Sequence, residues 1–174
     1  MNKDAIDILD KNLTKTNDWL KFAEAKNGAL IALDCAVMLG VLRVTSSIDE
    51  ISLPLLLYVT SLFILSGISL SISLASFLPR LKKPFWITIS KKKESDNPFY
   101  FGDACKYSAH EYLQLLNIEG GSDNKRFLEK AADQIVTNSK IAFMKYRLFT
   151  TAAWLFLSAI LTPLGALIIL TLRE

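Results

Sequence analysis

LPLLLYVTSLFILSGISLSISLASFL, Leu53 to Leu78, is the stretch that decides the fold of this chain. It holds no charged residue. Crossing the hydrocarbon core of a bilayer takes about 20 apolar residues in a helix, so this stretch can span with some tilt. Leu148 to Leu172 is also free of charge and is interrupted only by Pro163. A third apolar block, Gly28 to Leu42, is shorter and contains Asp34. Its flanking Lys26 and Arg43 can stretch toward the two interfaces, and Asp34 is then expected to face other helices rather than lipid. The chain therefore reads as three transmembrane helices.

The rest of the sequence supports that reading by segregation. Of the 174 residues, 51% are hydrophobic, and they collect in these blocks while the charges fill the gaps. A soluble chain would interleave the two at helix or strand period. The formal net charge of +3 says less than where the basic residues fall. Of the 20 Lys and Arg, 5 precede Gly28, 13 lie between Arg80 and Arg147, and Arg43 and Arg173 stand alone in the other two flanks. Cytoplasmic segments collect Lys and Arg. The N-terminus and the 79–147 region are expected in the cytoplasm, and the 43–52 loop and the C-terminus outside. Only an odd number of spans satisfies this. The polar start, Met1 to Asp7, lacks the form of a cleavable signal peptide, so the first block is expected to stay as an anchor.

The fold class is all-α: a membrane protein with three transmembrane helices, a cytoplasmic helical region and at most one short β-hairpin. The whole chain, 1–174, is expected to act as one unit. Its parts are a cytoplasmic amphipathic helix at 1–26, spans at 27–44, 53–78 and 148–172, and a cytoplasmic region at 79–147. Ile6, Leu9, Leu13, Thr16, Leu20 and Ala23 repeat at 3–4 spacing and predict a helix running into the first span. Pro79 and Pro84 are expected to stop the second span. Phe85 to Ser90 alternates and predicts a strand, with Phe99 to Phe101 as its hairpin partner. Ser108 to Glu111 has the form of a capping box, opening a helix that should end at Gly120-Gly121. A last helix is expected from Asp123 into the third span, about 75 Å long if unbroken and kinked at Pro163. Two stripes at 4–3 spacing run along it, one through Phe127, Ala131, Gln134, Asn138, Ile141 and Lys145, the other through Leu128, Ala132, Ile135, Ser139, Ala142 and Tyr146. Gln134, Asn138 and Lys145 are expected to face inward.

Catalytic chemistry is not visible. The chain has no GxSxG, P-loop, GxGxxG or HExxH pattern. His110 is its single histidine, which leaves no multi-histidine metal site, and it is expected to be a solvated first-turn residue. Cys35 and Cys105 form no CxxC pair and are expected to be unbridged thiols. No catalytic residue, metal, cofactor or nucleic-acid partner is expected. Asp34 is the one ionisable group inside a span, and such a group is a functional candidate by default. The serines of the second span, with Ser66, Ser69, Ser73 and Ser76 on one face, suit either close helix packing or the lining of a pore.

Three segments carry a resemblance. They are Trp19-Leu-Lys-Phe22-Ala-Glu24-Ala-Lys26-Asn-Gly28, Asn97-Pro98-Phe99-Tyr100-Phe101-Gly102-Asp103, and Gln134-Ile-Val-Thr-Asn138-Ser139-Lys-Ile141-Ala142-Phe-Met-Lys145-Tyr146-Arg147. In this order and spacing the chain resembles the transmembrane effectors of Pycsar, an antiphage system of bacteria built on pyrimidine cyclases. The likeness covers nearly the whole chain, and departs from the expected pattern at Asn27 and Asp34. It implies a bacterial inner-membrane protein, expected to be a homo-oligomer, that senses cyclic CMP or cyclic UMP from a partner cyclase. The membrane then fails and the infected cell dies before the phage matures. A cyclic nucleotide needs a cation for its phosphate, amides for its base and an aromatic face for stacking. Lys26, Lys145 and Arg147 offer the first, Asn97, Gln134 and Asn138 the second, and Trp19, Phe22 and Tyr100 the third. Two other functions fit the same sequence: a constitutive holin-like or structural membrane protein, and a membrane adaptor that docks a protein.

Overall fold

The computed structural model describes residues 3–78, 87–118 and 124–171, and every regular element among them is a helix. The order is α1 (Lys3–Thr45), α2 (Leu53–Ala75), α3 (Phe101–Ala104), α4 (Ala109–Leu115) and α5 (Lys125–Thr171). Helix α1 is continuous for 43 residues, with Asp4 in its first turn and Arg43 in its last, each the favoured charge for that end of the helix dipole. Its exit is closed by hydroxyls. Thr45 Oγ1 donates to Val41 O at 2.9 Å, Ser46 Oγ to Leu42 O at 2.7 Å and Ser47 Oγ to Arg43 O at 3.1 Å, adding side-chain donors to the carbonyls of the last turn, of which Leu42 O also takes the Ser46 N–H at 2.9 Å. Helix α2 opens from Ser52 with Pro54 in its first turn, where a missing N–H costs nothing. It ends at Ala75, ahead of Pro79 and Pro84, which lie outside the described residues.

The chain packs as two compact units: unit 1 comprises residues 1–24 and 80–147, unit 2 residues 25–79 and 148–174. The expected single effector unit thus contains two packing units, and α1 and α5 each contribute to both.

Unit 1 is built as a soluble domain is. Ala5 and Leu9 of α1, Tyr112 and Leu113 of α4, and Leu128, Ala132, Ile135 and Val136 of α5 form one buried cluster with Ala104 and Ile118. Of the two stripes on α5, the one through Leu128, Ala132, Ile135, Ser139 and Ala142 is buried. The other starts with Phe127 exposed and includes Gln134, also exposed, so Gln134 does not face inward as expected. The buried stripe carries the small and aliphatic residues that fit against α1 and α4, and Gln134 keeps its amide in water.

Unit 2 follows the opposite rule. Asp34, Ser66, Ser69 and Ser73 are all 0% exposed, while Leu39 is 66%, Leu57 59% and Trp154 65% exposed. Water would select the reverse; an apolar solvent selects this arrangement. α1 and α2 are both long and apolar enough to cross a membrane. Inside unit 2, Leu30, Ala152 and Phe156 form a small core with Val37, Ile72 and Phe149 around it. Ala152 and Ala159 are fully buried, small side chains that let helices approach closely. The serine row of α2 is packing surface in this state.

Two expectations are corrected. No strand occurs among the described residues: 87–90 is irregular, Phe99 and Tyr100 lie in a turn and Phe101 opens α3. The cause is local. Asn97 Oδ1 accepts from the Phe99 N–H at 2.9 Å, and Asp103 Oδ2 accepts from the Asn97 N–H at 3.1 Å, an Asx turn that leads into a helix where the partner strand of the hairpin was expected. Phe85 and Trp86 lie outside the described residues. The helix opened at Ser108 ends at Leu115, with Leu116 as its cap. Asn117 takes the left-handed conformation, φ 53°, which asparagine tolerates. Gly120 and Gly121 lie outside the described residues.

Candidate functional site

The described segment before α4, from Lys92 to Ser108, is pinned by buried charges. Lys106 Nζ donates to Asp96 Oδ1 at 2.7 Å and to Asp103 Oδ1 at 2.6 Å, with the lysine and Asp96 side chains almost wholly buried. Tyr107 Oη donates to Asp96 Oδ2 at 2.9 Å, and the Lys93 N–H donates to the same oxygen at 3.0 Å. The hydrogen bond from Lys106 holds the Asp96 carboxyl at about 2. The two carboxylates in turn raise the Lys106 ammonium, outweighing the burial that opposes it. The Ser108 capping box is formed as expected, and Lys92 Nζ reaches Glu111 Oε1 at 2.7 Å, holding Glu111 at about 2. His110 is exposed in the first turn of α4. Both cysteines are unbridged. Cys105 is buried, its thiol pushed up to about 11 by that burial, and it stays protonated and unreactive.

On this scaffold unit 1 assembles an aromatic cluster. The Trp19 ring of α1 lies 5.4 Å from Phe101 and 6.2 Å, edge-on, from Tyr146. Phe101 stacks on Tyr146 at 5.0 Å, and Tyr100 tilts against Phe101 at 4.7 Å. The Tyr100 ring covers Gly102 so closely that a Cβ there would come within 2.4 Å of it. Glycine is therefore required at 102 to hold that ring. Burial raises the Tyr146 hydroxyl.

An amide chain runs along the neighbouring surface of α5. Gln134 Nε2 donates to Asn138 Oδ1 at 3.0 Å, and Asn138 Nδ2 donates to Asn17 Oδ1 at 2.8 Å. Lys145 Nζ pairs with Glu24 at 2.9 Å. Beside Trp19 is an open apolar hollow of about 310 Å³, walled by Trp19 and Phe22 with Lys15 and Asp18 at its rim. A second hollow of about 360 Å³ lies between α4 and α5, lined by His110, Gln114, Lys125 and Glu129 among others.

The structure thus brings together Trp19 and Tyr100 through Phe101, places Phe22 on the same hollow as Trp19, and links Gln134 to Asn138. Asn97 stands apart in its Asx turn. Lys26 belongs to unit 2, with its Nζ 5.5 Å over the Phe149 ring. Phe101, Tyr146 and Asn17 are the members that sequence reasoning did not name as ligand-binding. All three lie in or beside the quoted segments, but their partnership depends on contacts across the fold, 121 positions apart for Asn17 and Asn138. Aromatic faces, amides with hydrogen-bonding capacity to spare and a lysine are what recognition of an unstacked base and a phosphate uses.

The inverted burial of unit 2 and the conventionally packed, aromatic and amide-bearing unit 1 mark a small helical protein of the membrane-associated class. Residues 8–172 match the Pycsar effector protein domain, and the chain belongs to that family. It is similar to the Pycsar effector protein RsPycTM of a Rhizobium species, 33% identical over 161 residues that cover 87% of each chain. It is also similar to the Pycsar effector protein PtPycTM of Propioniciclava tarda, 26% identical over 137 residues, 77% of this chain and 64% of that relative. No solved structure is significantly similar. Membership makes this an antiphage defence effector associated with a membrane, and implies a cyclic-nucleotide signal from a cyclase partner.

Proposed function

We propose that the chain is a non-enzymatic sensor and executioner in one: unit 1 binds cyclic CMP or cyclic UMP, and unit 2 then breaches the bacterial inner membrane, ending the infection with the cell. The observation that carries this reading is the pairing, in one family member, of an aromatic, amide and lysine cluster with a unit whose leucines face outward and whose polar residues face inward. The base stacks against Trp19 and Phe22 in the hollow, Gln134 and Asn138 read its edge, and Lys145 exchanges Glu24 for the phosphate. The chain passes from unit 1 into unit 2 inside α1 and again inside α5, so ordering the site acts directly on helices that enter the membrane. The exposed Trp154, Leu157 and Leu161 of α5 favour a third span, with the N-terminus and 79–147 in the cytoplasm and the C-terminus outside. The active state is a homo-oligomer that the nucleotide prefers over the resting one.

Dye release from proteoliposomes, with and without each nucleotide, tests this. Release only with nucleotide supports it. Release regardless points to a holin-like protein, and none to an adaptor. Calorimetry adds the residue test. Trp19→Ala and Lys145→Ala should each weaken binding roughly tenfold or more, since stacking on one aromatic is worth about 1–3 kcal/mol. Unchanged binding in both, and in Asn138→Ala, sinks this pocket.

A further inference from the structure

Asp34 is the most anomalous group in the molecule. It lies within α1, in unit 2, wholly buried, and neither carboxyl oxygen has a hydrogen-bond partner. The Ser66 and Ser69 hydroxyls of α2 face it. Ser69 has already committed its hydrogen, donating to Ala152 O at 3.0 Å, so it can turn only lone pairs toward Asp34. Ser66 Oγ and Ser73 Oγ, on the same face of α2, are buried without partners. Ser66 keeps its hydrogen free for the carboxylate, but one hydroxyl does not neutralise a buried charge, and the lone pairs that Ser69 turns toward Asp34 repel a carboxylate unless a positive charge lies between them.

Among the described residues of unit 2, no cation lies close to Asp34 along its own helix or on α2 and α5. On the α1 segment of unit 2 the charged groups are Lys26 and Arg43, 8 and 9 positions from Asp34, about 12–14 Å along the axis. Cys35 is the neighbouring residue, turned about 100° around the helix. Tyr58 is the single titratable residue of α2, and the α5 segment 148–171 has none. A buried carboxylate without a counter-charge is strongly disfavoured. Its oxygen surroundings suit a hard cation. One negative charge balances one positive charge, and a divalent ion would leave an excess in an apolar interior.

We propose that Asp34, with Ser66, Ser69 and Ser73, forms a site for a small monovalent cation, a sodium ion or a proton, that holds α1 against α2 inside unit 2. The site does not depend on nucleotide sensing and can be tested without it. The full chain in nanodiscs is melted at constant ionic strength in sodium chloride or choline chloride near pH 8, and in choline chloride from about pH 5.5 to about pH 8.5. A sodium site raises the wild-type melting temperature by roughly 5 °C in sodium over choline. A proton site instead lowers it by a similar amount as pH rises, with no preference for sodium. Asp34→Asn, which keeps the shape and removes the charge, should lose either response while leaving background titration from unit 1 in place. The double variant S66A/S69A keeps the carboxylate and should shift the midpoint of the response at least tenfold in cation concentration. Equal melting in all conditions for the wild type, or a response that survives in both variants, overturns the site and leaves a packing contact only.

Discussion

Unit 1 buries Leu9, Tyr112 and Ile135 and leaves most of its described lysines in water; unit 2 buries Asp34 and the four serines Ser66, Ser69, Ser73 and Ser76 and turns Leu39, Leu57 and Trp154 outward. One chain obeys two opposite burial rules, and α1 and α5 obey both along their own lengths. The boundary between the rules is therefore a boundary between solvents. In unit 1 the hydrophobic effect selects the packed stripe. In unit 2 no such force acts between helices, and packing rests on small residues and polar contacts such as Ser69 to Ala152.

Substitutions that should be harmless under one rule and costly under the other can break this comparison. The largest effect is expected at Ile135→Ala, about 3–4 kcal/mol lost in chemical unfolding of the full chain, from a cavity in the core of unit 1. A cost below ~1 kcal/mol would remove that core from the account. Next is Leu57→Lys, on the exposed face of α2: about 3 kcal/mol against membrane insertion, where the same change on a water-facing helix would be neutral. A translocon insertion assay reads it, and normal insertion would mean that α2 does not face lipid. Tyr112→Phe should cost about 1–2 kcal/mol, because the hydroxyl accepts from Asn12 Nδ2 at 3.0 Å and donates to Pro98 O at 3.0 Å, leaving both unsatisfied. Burial pushes that phenol up to about 12, so the effect should not vary between neutral and mildly alkaline pH.

Strong acid should act on unit 1 through two held carboxylates. Asp96 and Glu111 are held at about 2 by Lys106 and Lys92. A carboxyl depressed on folding stabilises fully above its unfolded value of about 4 and loses that contribution as pH falls toward 2. The melting temperature should fall across that window, and Asp96→Asn should flatten the fall. The smallest effect is expected at Ser71→Ala. Ser71 is exposed on α2 and its hydroxyl bonds only back to Gly67 O at 2.8 Å, so the change should stay within about 0.5 kcal/mol.

Much of this division was legible in the sequence. The charge-free run from Leu53 sufficed for α2, and the spacing of Ser66, Ser69 and Ser73 identified its shared face. The capping box at Ser108 was readable because both partners lie within four residues. The Asp96–Lys106–Asp103 staple was not, since nothing local distinguishes those charges from the solvated lysines before them. Phe101 was misread because three consecutive aromatics suit a strand, while the decisive signal, Asn97 Oδ1 accepting from the Phe99 N–H, depends on side-chain geometry. The candidate residues could be named by type in three segments. Its assembly around Phe101 and Tyr146 was not, because these contacts join positions far apart in the chain.

The interleaving of the two units has a consequence for how the protein is made. Residues 1–24 and 80–147 complete unit 1, and residues 25–79 fall between them. During synthesis the ribosome delivers α2 before the partners of Leu9 exist. The core of unit 1 cannot close until Val136 has emerged, and by then the apolar stretches of α1 and α2, each long enough to cross a membrane, have already been made. Unit 1 is therefore completed late, after two apolar helices that were made before its core could form.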